Sequence, residues 1–349
     1  MLIATTMQQW LARSSARAVL HPVVSSIPGV FSSTEIGLPS AVCRPNPRRA
    51  AIQILCFEIL LRRSEGYLPM ATDKADTSFM PMVIAACEQR ESPQQRLLTD
   101  GLAATMLPAP LRALLGLRVV RTRLAVLMDR DAPGIWNSIA CRKRYLDDAV
   151  AQAIADGIAQ IVVLGAGFDT RAARFTAASE VTAVEVDLPR TVARKRRRLG
   201  DSRVVLAPID FEHDDLATVL TDHGYDPAHP AIIVWEGVTQ YLTADAVHDT
   251  LHAFDSAASG TRLAFTYVRQ EFLDGTELYD APGLRRRFVD TGVWRFGLRP
   301  AEVAELLSCF GWHEHEQVGR DEYRERYLEP VGRIGPVSPV ERCVAAVKN

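Results

Sequence analysis

The sequence predicts an α/β fold built around a doubly wound, mostly parallel sheet. Between residues 160 and 268, short apolar runs alternate with segments of helical spacing. The runs are continuous rather than alternating, which is typical of strands covered on both faces. The predicted strands are Ile161–Leu164, Val181–Val186, Val204–Ala207, Ala231–Trp235 and Arg262–Val268, and the predicted helices begin near Thr170, Leu188, His213 and Thr243.

Further elements are predicted on either side of this core. Helical spacing over Met80–Cys87, Leu111–Met128 and Trp136–Ile154 predicts N-terminal cap helices within residues 77–156. The alternation lapses over residues 269–299, which we expect to form an insertion above the strand ends. A helix at Pro300–Phe310, with proline in its first turn, and strands near His313–Val318 and Glu341–Val347 are expected to complete the sheet edge over residues 300–349.

Residues 1–69 differ in composition from the rest of the chain. They are rich in arginine, serine and proline and poor in acidic residues. We expect an appended, poorly ordered N-terminal extension before a domain spanning residues 70–349, with Met70 as an alternative translation start. An organellar transit peptide is a second interpretation. The apolar run Ala50–Leu61 is too short to span a bilayer.

Composition narrows the class of protein. The chain has 349 residues, 48% of them hydrophobic, and a formal net charge of −2, which gives no general reason to bind nucleic acid or an anionic membrane. We therefore expect a small-molecule partner. The six cysteines lie far apart without Cys-x-x-Cys spacing, which favours reduced thiols in the cytoplasm over disulfides or a metal site. The basic run Arg194–Arg198 is predicted to be a solvated helix face.

The most informative motif follows the first predicted strand. Ile161–Leu164 ends in Gly165 and Gly167, a pattern that marks a strand turning sharply into a helix beside a ligand. About twenty residues on, Asp187 ends the second strand, where a carboxylate can hold ribose hydroxyls. Thr170 stands where a dinucleotide site needs a third glycine. The motif therefore favours S-adenosylmethionine over NAD(P), although a plain strand-to-helix turn stays possible.

Other candidates follow the later strands, because parallel sheets bind ligands at the carboxyl ends of their strands. Asp210 could accept a hydrogen bond from an adenine amino group with Phe211 against the ring, or it could cap the next helix. Glu236 directly follows the apolar strand Ala231–Trp235. A carboxylate in that place must have a partner.

Several segments occur in an order and spacing typical of one family. They are Arg142–Asp148, Leu164–Arg171, Glu185–Pro189 with Lys195–Arg196, Val234–Leu242, Trp294–Gly297, and Tyr327, Pro330, Gly332, Arg333 and Glu341–Arg342. Together they resemble the leucine carboxyl methyltransferase family, and within it the bacterial S-adenosylmethionine-dependent O-methyltransferases associated with polyketide-type small molecules. The resemblance extends from about Thr77 to the end of the chain.

The resemblance implies a class I methyltransferase-like Rossmann fold and a role for each candidate residue. Arg142 would hold the carboxylate of the cofactor's methionine moiety, a task that suits a guanidinium fork. The alternative is that Arg142 and Arg144 pair with Asp147 and Asp148 on a solvated helix face. We expect that outcome for Arg144 only, and we assign no role to Lys143. By the same resemblance Gly165 and Gly167 form the cofactor loop, Asp187 holds the ribose, Asp210 and Phe211 flank the adenine, and Glu236 contacts the amino group.

The expected reaction is methyl transfer to an oxygen of a small molecule. A carboxylate acceptor, with a pKa near 4, is ionised at neutral pH and needs no general base, so no catalytic residue is assigned. A hydroxyl acceptor would need one, and His213, His248 and Tyr241 are the candidates. The alternatives are an NAD(P)-dependent oxidoreductase and a non-catalytic cofactor-binding relative. The sequence predicts no oligomeric state.

Overall fold

The structure, a computed structural model, describes residues 79–349. The predicted extension over residues 1–69 lies outside the described residues. Seven strands of the described chain form one sheet in the order β3-β2-β1-β4-β5-β7-β6. Strands β1 to β5 are parallel, and β7 runs antiparallel to both β5 and β6. The strands are β1 Gln160–Leu164, β2 Thr182–Asp187, β3 Val205–Pro208, β4 Ala231–Trp235, β5 Arg262–Val268, β6 Trp312–Val318 and β7 Glu341–Lys348. The predicted fold class is confirmed.

Helices precede the sheet and connect its strands. The α-helices are α1 Phe79–Glu88, α2 Ala109–Leu115, α3 Arg118–Asp131, α4 Ile135–Ala155, α5 Arg171–Ala178, α6 Pro189–Leu199, α7 Leu216–Asp222, α8 Ala244–His252, α9 Gln270–Asp274, α10 Pro282–Phe288, α11 Val303–Ser308 and α12 Arg320–Tyr323. Short 3₁₀ turns lie at Ala103–Met106, Thr239–Tyr241, Pro300–Glu302 and Glu329–Val331, and a π turn at Arg324–Leu328. Among residues 79–349, none of the helices combines the length and the hydrophobicity that a membrane span requires.

Three predicted helices were wrong in their bounds. The segment Leu111–Met128 is two helices, because α2 ends at Leu115, Gly116 is its C-cap and Leu117 is extended. Glycine disfavours helix continuation, so the apolar spacing on its two sides belongs to separate helices. The helix after β3 begins at Leu216 rather than near His213. The predicted helix Pro300–Phe310 opens as a 3₁₀ turn and is α-helical only over α11.

The core has an apolar layer on each face of the sheet. Ile161 and Val163 of β1 pack with α1, α4, α5 and α6, whereas Val162 and Leu164 pack with α7, α8 and α11. Neighbouring residues of a strand point to opposite faces, so a strand covered on both sides is apolar throughout. This packing explains the continuous apolar runs of the sequence.

The strand order reverses beside β1, and this reversal positions the site. The chain proceeds from β1 outward through β2 to β3, and then crosses back to place β4 on the other side of β1. Val163 of β1 is paired with Val234 of β4, so both strands end at the same edge. A crevice at such a switch point is where open α/β sheets bind ligands. Gly165 and Glu236 both lie at this edge.

Candidate cofactor site

The turn after β1 requires its two glycines. Gly165 and Gly167 have φ values of +61° and +52°, in the left-handed region that glycine adopts without steric penalty. A Cβ atom on Gly165 would lie 2.4 Å from Cγ2 of Val238. The loop after β4 therefore packs directly on the glycine turn, so the ends of β1 and β4 are held against each other.

Asp187 joins the ends of β1 and β2. Its Oδ2 accepts a hydrogen bond of 2.6 Å from the amide of Gly167, and its Oδ1 accepts one of 2.7 Å from the amide of Leu188. Burial raises the pKa of Asp187, while the bonds from Gly167, Thr191 and Leu188 oppose that shift. A carboxylate offers about four lone-pair sites, so the three bonds from Gly167, Leu188 and Thr191 leave one for a ligand hydroxyl.

The carboxyl end of β3 is more open. The Asp210 side chain is 46% exposed, its Oδ2 lies 3.2 Å from Nδ1 of His213, and its Oδ1 accepts a hydrogen bond from the amide of Glu212. Asp215 is the residue that caps α7, so the interpretation of Asp210 as the helix cap is wrong. Phe211 is partly buried against the core layer that contains α7 and α8.

Arg142 and Glu236 contact each other. Arg142 of α4 is buried, its Nε lies 3.0 Å from Oε1 of Glu236, and its Nη1 lies 2.6 Å from Oε2 of Glu341, the first residue of β7. Burial alone would lower the pKa of Arg142, but the two carboxylates raise it above its usual range. The solvated-face alternative is therefore wrong for Arg142. It holds for Arg144, which pairs with Asp148 at 2.7 Å with both side chains 44% exposed.

A buried network of charges surrounds this pair. Arg171, fully buried, donates hydrogen bonds of 2.7 Å to Asp147, 2.8 Å to Asp169 and 3.0 Å to Glu236. Burial would raise the pKa of Asp169, yet the charges of Arg171 and Lys143 hold it well below its usual range. Arg174 extends the network to Asp147 at 2.9 Å.

Lys143 belongs to the same network. Its Nζ lies 3.1 Å from Oδ2 of Asp169 and 3.6 Å from Oε2 of Glu236, and its side chain is almost fully buried. Sequence reasoning missed Lys143, Asp169, Arg171 and Glu341. The available signal was a pair of charged residues, Asp169 and Arg171, immediately after a glycine turn whose surroundings are apolar.

The prediction that the basic run of α6 is a solvated helix face is wrong for part of the run. Lys195 is buried and forms an ion pair with Glu185 of β2. The guanidinium carbon of Arg198 lies 4.7 Å from the ring centroid of Phe168, which stacks on Phe79 at 4.4 Å. Part of this run therefore faces inward and packs on the aromatic residue that follows the glycine turn.

The two candidate histidines lie apart from the buried pair. His213 is exposed beside Asp210, and the ring of His248 on α8 lies 5.8 Å from that of Phe310. Among the described contacts, neither histidine touches Arg142, Glu236 or Asp187.

Comparison with solved structures supports the fold. A proposed methyltransferase of Thermobifida fusca is similar with a TM-score of 0.50 at 22% identity, covering 67% of this chain and 89% of that one. A DUF574 family protein of Streptomyces avermitilis is similar with a TM-score of 0.51 at 16% identity, covering 66% and 91%. At these identities the likeness shows the fold alone. It is the class I fold of S-adenosylmethionine-dependent methyltransferases.

Sequence comparison identifies the family within that class. The leucine carboxyl methyltransferase family matches residues 78–255. A proposed S-adenosyl-L-methionine-dependent methyltransferase of Frankia alni is 35% identical over 136 residues, 37% of this chain and 47% of its own length. A similarly named protein of Mycobacterium marinum is 31% identical over 225 residues, 60% of this chain and 71% of its own length. The matches with the Frankia alni protein and its Mycolicibacterium smegmatis counterpart span about half of those relatives. The chain belongs to the leucine carboxyl methyltransferase family.

Proposed function

We propose that this protein is an S-adenosylmethionine-dependent O-methyltransferase that methylates a carboxylate of a small molecule. One observation carries the proposal: the glycine turn with Asp187, and a buried pair of opposite charges, Arg142 and Glu236, lie at the same edge of the sheet, where the strand order reverses. Family membership and the names of the relatives support S-adenosylmethionine-dependent methyl transfer, and the carboxylate acceptor is our own addition.

The residues at this edge suit the parts of S-adenosylmethionine. The carboxylate of Asp187 accepts ribose hydroxyls, and the glycine turn lets the backbone approach closely. Arg142 holds the carboxylate of the methionine moiety and Glu236 its amino group. Asp210 and Phe211 flank the adenine, where the exposed carboxylate can accept from the exocyclic amine. Without a phosphate to hold, such a site does not need the glycine missing at Thr170.

These residues act by positioning. Bound S-adenosylmethionine supplies a methyl group on a sulfonium: an acceptor oxygen lone pair forms the O–CH₃ bond while the C–S bond breaks and its electron pair stays on sulfur. Arg142, Glu236 and Asp187 fix the donor in line with the acceptor, and such alignment removes much of the barrier. A carboxylate acceptor is already ionised, so no side chain has to remove a proton.

Methyl transfer with a labelled donor tests the proposal. The full chain is incubated with methyl-labelled S-adenosylmethionine and a panel of small carboxylic acids, and the products are then treated with mild base. We expect labelled esters that release labelled methanol. Label that resists base would indicate a hydroxyl or amine acceptor and would direct attention to His213, His248 and Tyr241.

Ligand binding separates the remaining alternatives. We expect S-adenosylhomocysteine, and neither NAD nor NADP, to raise the melting temperature of the full chain, because ligands that bind only the native state stabilise it. Stabilisation by NAD or NADP alone would indicate the oxidoreductase. If S-adenosylhomocysteine stabilises the chain but no methyl group is transferred to any tested acid or to any component of a metabolite extract, the protein is a non-catalytic relative.

A further inference from the structure

We propose that Glu341 and Lys143 are positioning residues for the cofactor, and that its amino-acid end enters by replacing the direct contact between Arg142 and Glu236. The inference rests on the roles proposed above for Arg142 and Glu236. Each member of that pair has a second partner of opposite charge, so each stays fixed when the pair opens.

The two carboxylate partners of Arg142 come from different parts of the chain. Nη1 lies 2.6 Å from Glu341 of β7, while Nε lies 3.0 Å from Glu236, just after β4. Nη2 makes no hydrogen bond within residues 79–349. Gly237 lies beside the same guanidinium: a Cβ atom there would be 3.6 Å from both Nη1 and Nη2. Glu341 therefore anchors the guanidinium of Arg142. Nη2 keeps its donors unused, and it lies beside Gly237, which has no side chain.

The second partners of Glu236 contact its other oxygen. Oε1 faces Arg142, whereas Oε2 lies 3.0 Å from Nη2 of Arg171 and 3.6 Å from Nζ of Lys143. Lys143 is fixed in turn by Asp169 at 3.1 Å. Glu236 can therefore release Arg142 through Oε1 and remain held through Oε2.

Charge balance identifies the ligand chemistry that suits this arrangement. Removing one partner of a buried ion pair is strongly unfavourable because the other charge is left uncompensated. An α-amino acid zwitterion brings a carboxylate for Arg142 and an ammonium for Glu236 at once, so neither is stranded. A ligand with the adenosine and thioether but without the amino-acid end cannot make this exchange.

Two ligands isolate the exchange experimentally. S-adenosylhomocysteine and 5′-methylthioadenosine share the adenosine and the sulfur, but only the first carries the zwitterion. Their dissociation constants are measured by calorimetry for the full chain, for Glu341→Gln and for Lys143→Met. We expect each variant to bind S-adenosylhomocysteine at least about tenfold more weakly, because the side chain that binds the ligand loses a charged hydrogen-bond partner that holds it in place. Binding of 5′-methylthioadenosine should be unchanged within about twofold.

Glu88→Gln provides the matched control. Glu88 is a buried carboxylate paired with both Nη atoms of Arg333 at 2.9 Å, and it contacts neither Arg142 nor Glu236. Its loss should lower the melting temperature but leave the ratio of the two dissociation constants unchanged. If Glu341→Gln fails to fold, Glu341→Asp keeps the charge on a shorter side chain, and a smaller but still selective loss of S-adenosylhomocysteine binding is expected.

Other outcomes would overturn the inference. Equal losses for both ligands would assign Glu341 and Lys143 to the fold alone, and unchanged affinities would show that the anchors are not needed. Arg142→Ala and Glu236→Gln separate this failure from that of the proposed roles. If these two variants bind S-adenosylhomocysteine normally, the roles of Arg142 and Glu236 are wrong. If only these two lose affinity, the inference about Glu341 and Lys143 alone fails.

Discussion

At the residue scale, the sequence identified side chains but not their partners. Glu236 was predicted to need a partner because it directly follows a buried strand, and it has Arg142 and Arg171. The partners could not be predicted, because they come from helices far away in sequence whose packing no local pattern encodes. Glu341 is the clearest case: it lies 199 positions from Arg142 and has no local motif that predicts an ion pair.

Removing the Asp187 carboxylate should weaken cofactor binding. Asp187→Ala deprives the ribose of a charged acceptor, a loss of roughly 1–3 kcal/mol in binding free energy. It also leaves the amides of Gly167 and Leu188 without their partner, which lowers the stability of the free protein. Calorimetry with S-adenosylhomocysteine measures the change. Asp148→Ala, at an exposed ion pair on α4, is the control, and unchanged affinity for Asp187→Ala would remove Asp187 from the site.

Arg142 and Glu236 should be coupled in turnover. Arg142→Ala and Glu236→Gln are each expected to reduce methyl transfer about a hundredfold, because misplacement by about 1 Å can cost that much. Since the two side chains are 3.0 Å apart and would hold the two charged groups at one end of the ligand, the double variant should lose less than the sum of the two free-energy changes. Circular dichroism checks that the fold survives. Strictly additive losses would show that the residues act independently.

At the element scale, the strands were predicted well and the short helices were not. Each predicted strand of the parallel core is present within one or two residues, because burial on both faces forces a continuous apolar run. Helix bounds depend on single turns, such as the one at Gly116 that separates α2 from α3. The basic run of α6 was misjudged because burial of Lys195 depends on Glu185 of the neighbouring strand.

Substitution of Gly165 tests the packing of the turn after β1. Gly165→Ala combines a positive φ with a Cβ atom 2.4 Å from Val238, whereas Gly157→Ala has a positive φ but no atom within 4 Å. Positive φ alone costs about 1–2 kcal/mol, and overpacking adds about 1–3 kcal/mol. Urea unfolding should therefore show a larger loss for Gly165→Ala, together with weaker binding of S-adenosylhomocysteine. Equal losses would show that the contact with Val238 relaxes freely.

At the scale of the whole molecule, the sequence predicted the architecture but not the buried charges that connect its parts. The fold class follows from strand and helix alternation alone. The network of Arg142, Lys143, Arg171 and their carboxylates joins α4, α5 and the ends of β4 and β7, so only the tertiary structure shows it. Localisation in the cytoplasm stays a prediction.

This network should make stability depend on acid pH. The pKa of Asp169 lies well below its usual value of 3.8 in the folded state, so its stabilising contribution is complete above that value and disappears as the pH falls through the folded pKa. Asp169→Asn should cost about 3–5 kcal/mol in free energy of unfolding at pH 7, and less at pH 3. Urea titrations at both pH values measure this, with Asp148→Asn as the exposed control. A cost independent of pH would contradict the assigned ionisation of Asp169.

A crystal structure of the full chain with S-adenosylhomocysteine tests the central claim most directly. We expect the ligand at the edge where β1, β2 and β4 end, with ribose hydroxyls on Asp187, the amino group on Glu236 and the carboxylate on Arg142. The direct contact between Arg142 and Glu236 would be replaced by a contact of each residue with the ligand. Ligand bound elsewhere, or bound here with its ribose away from Asp187, would contradict the proposed site.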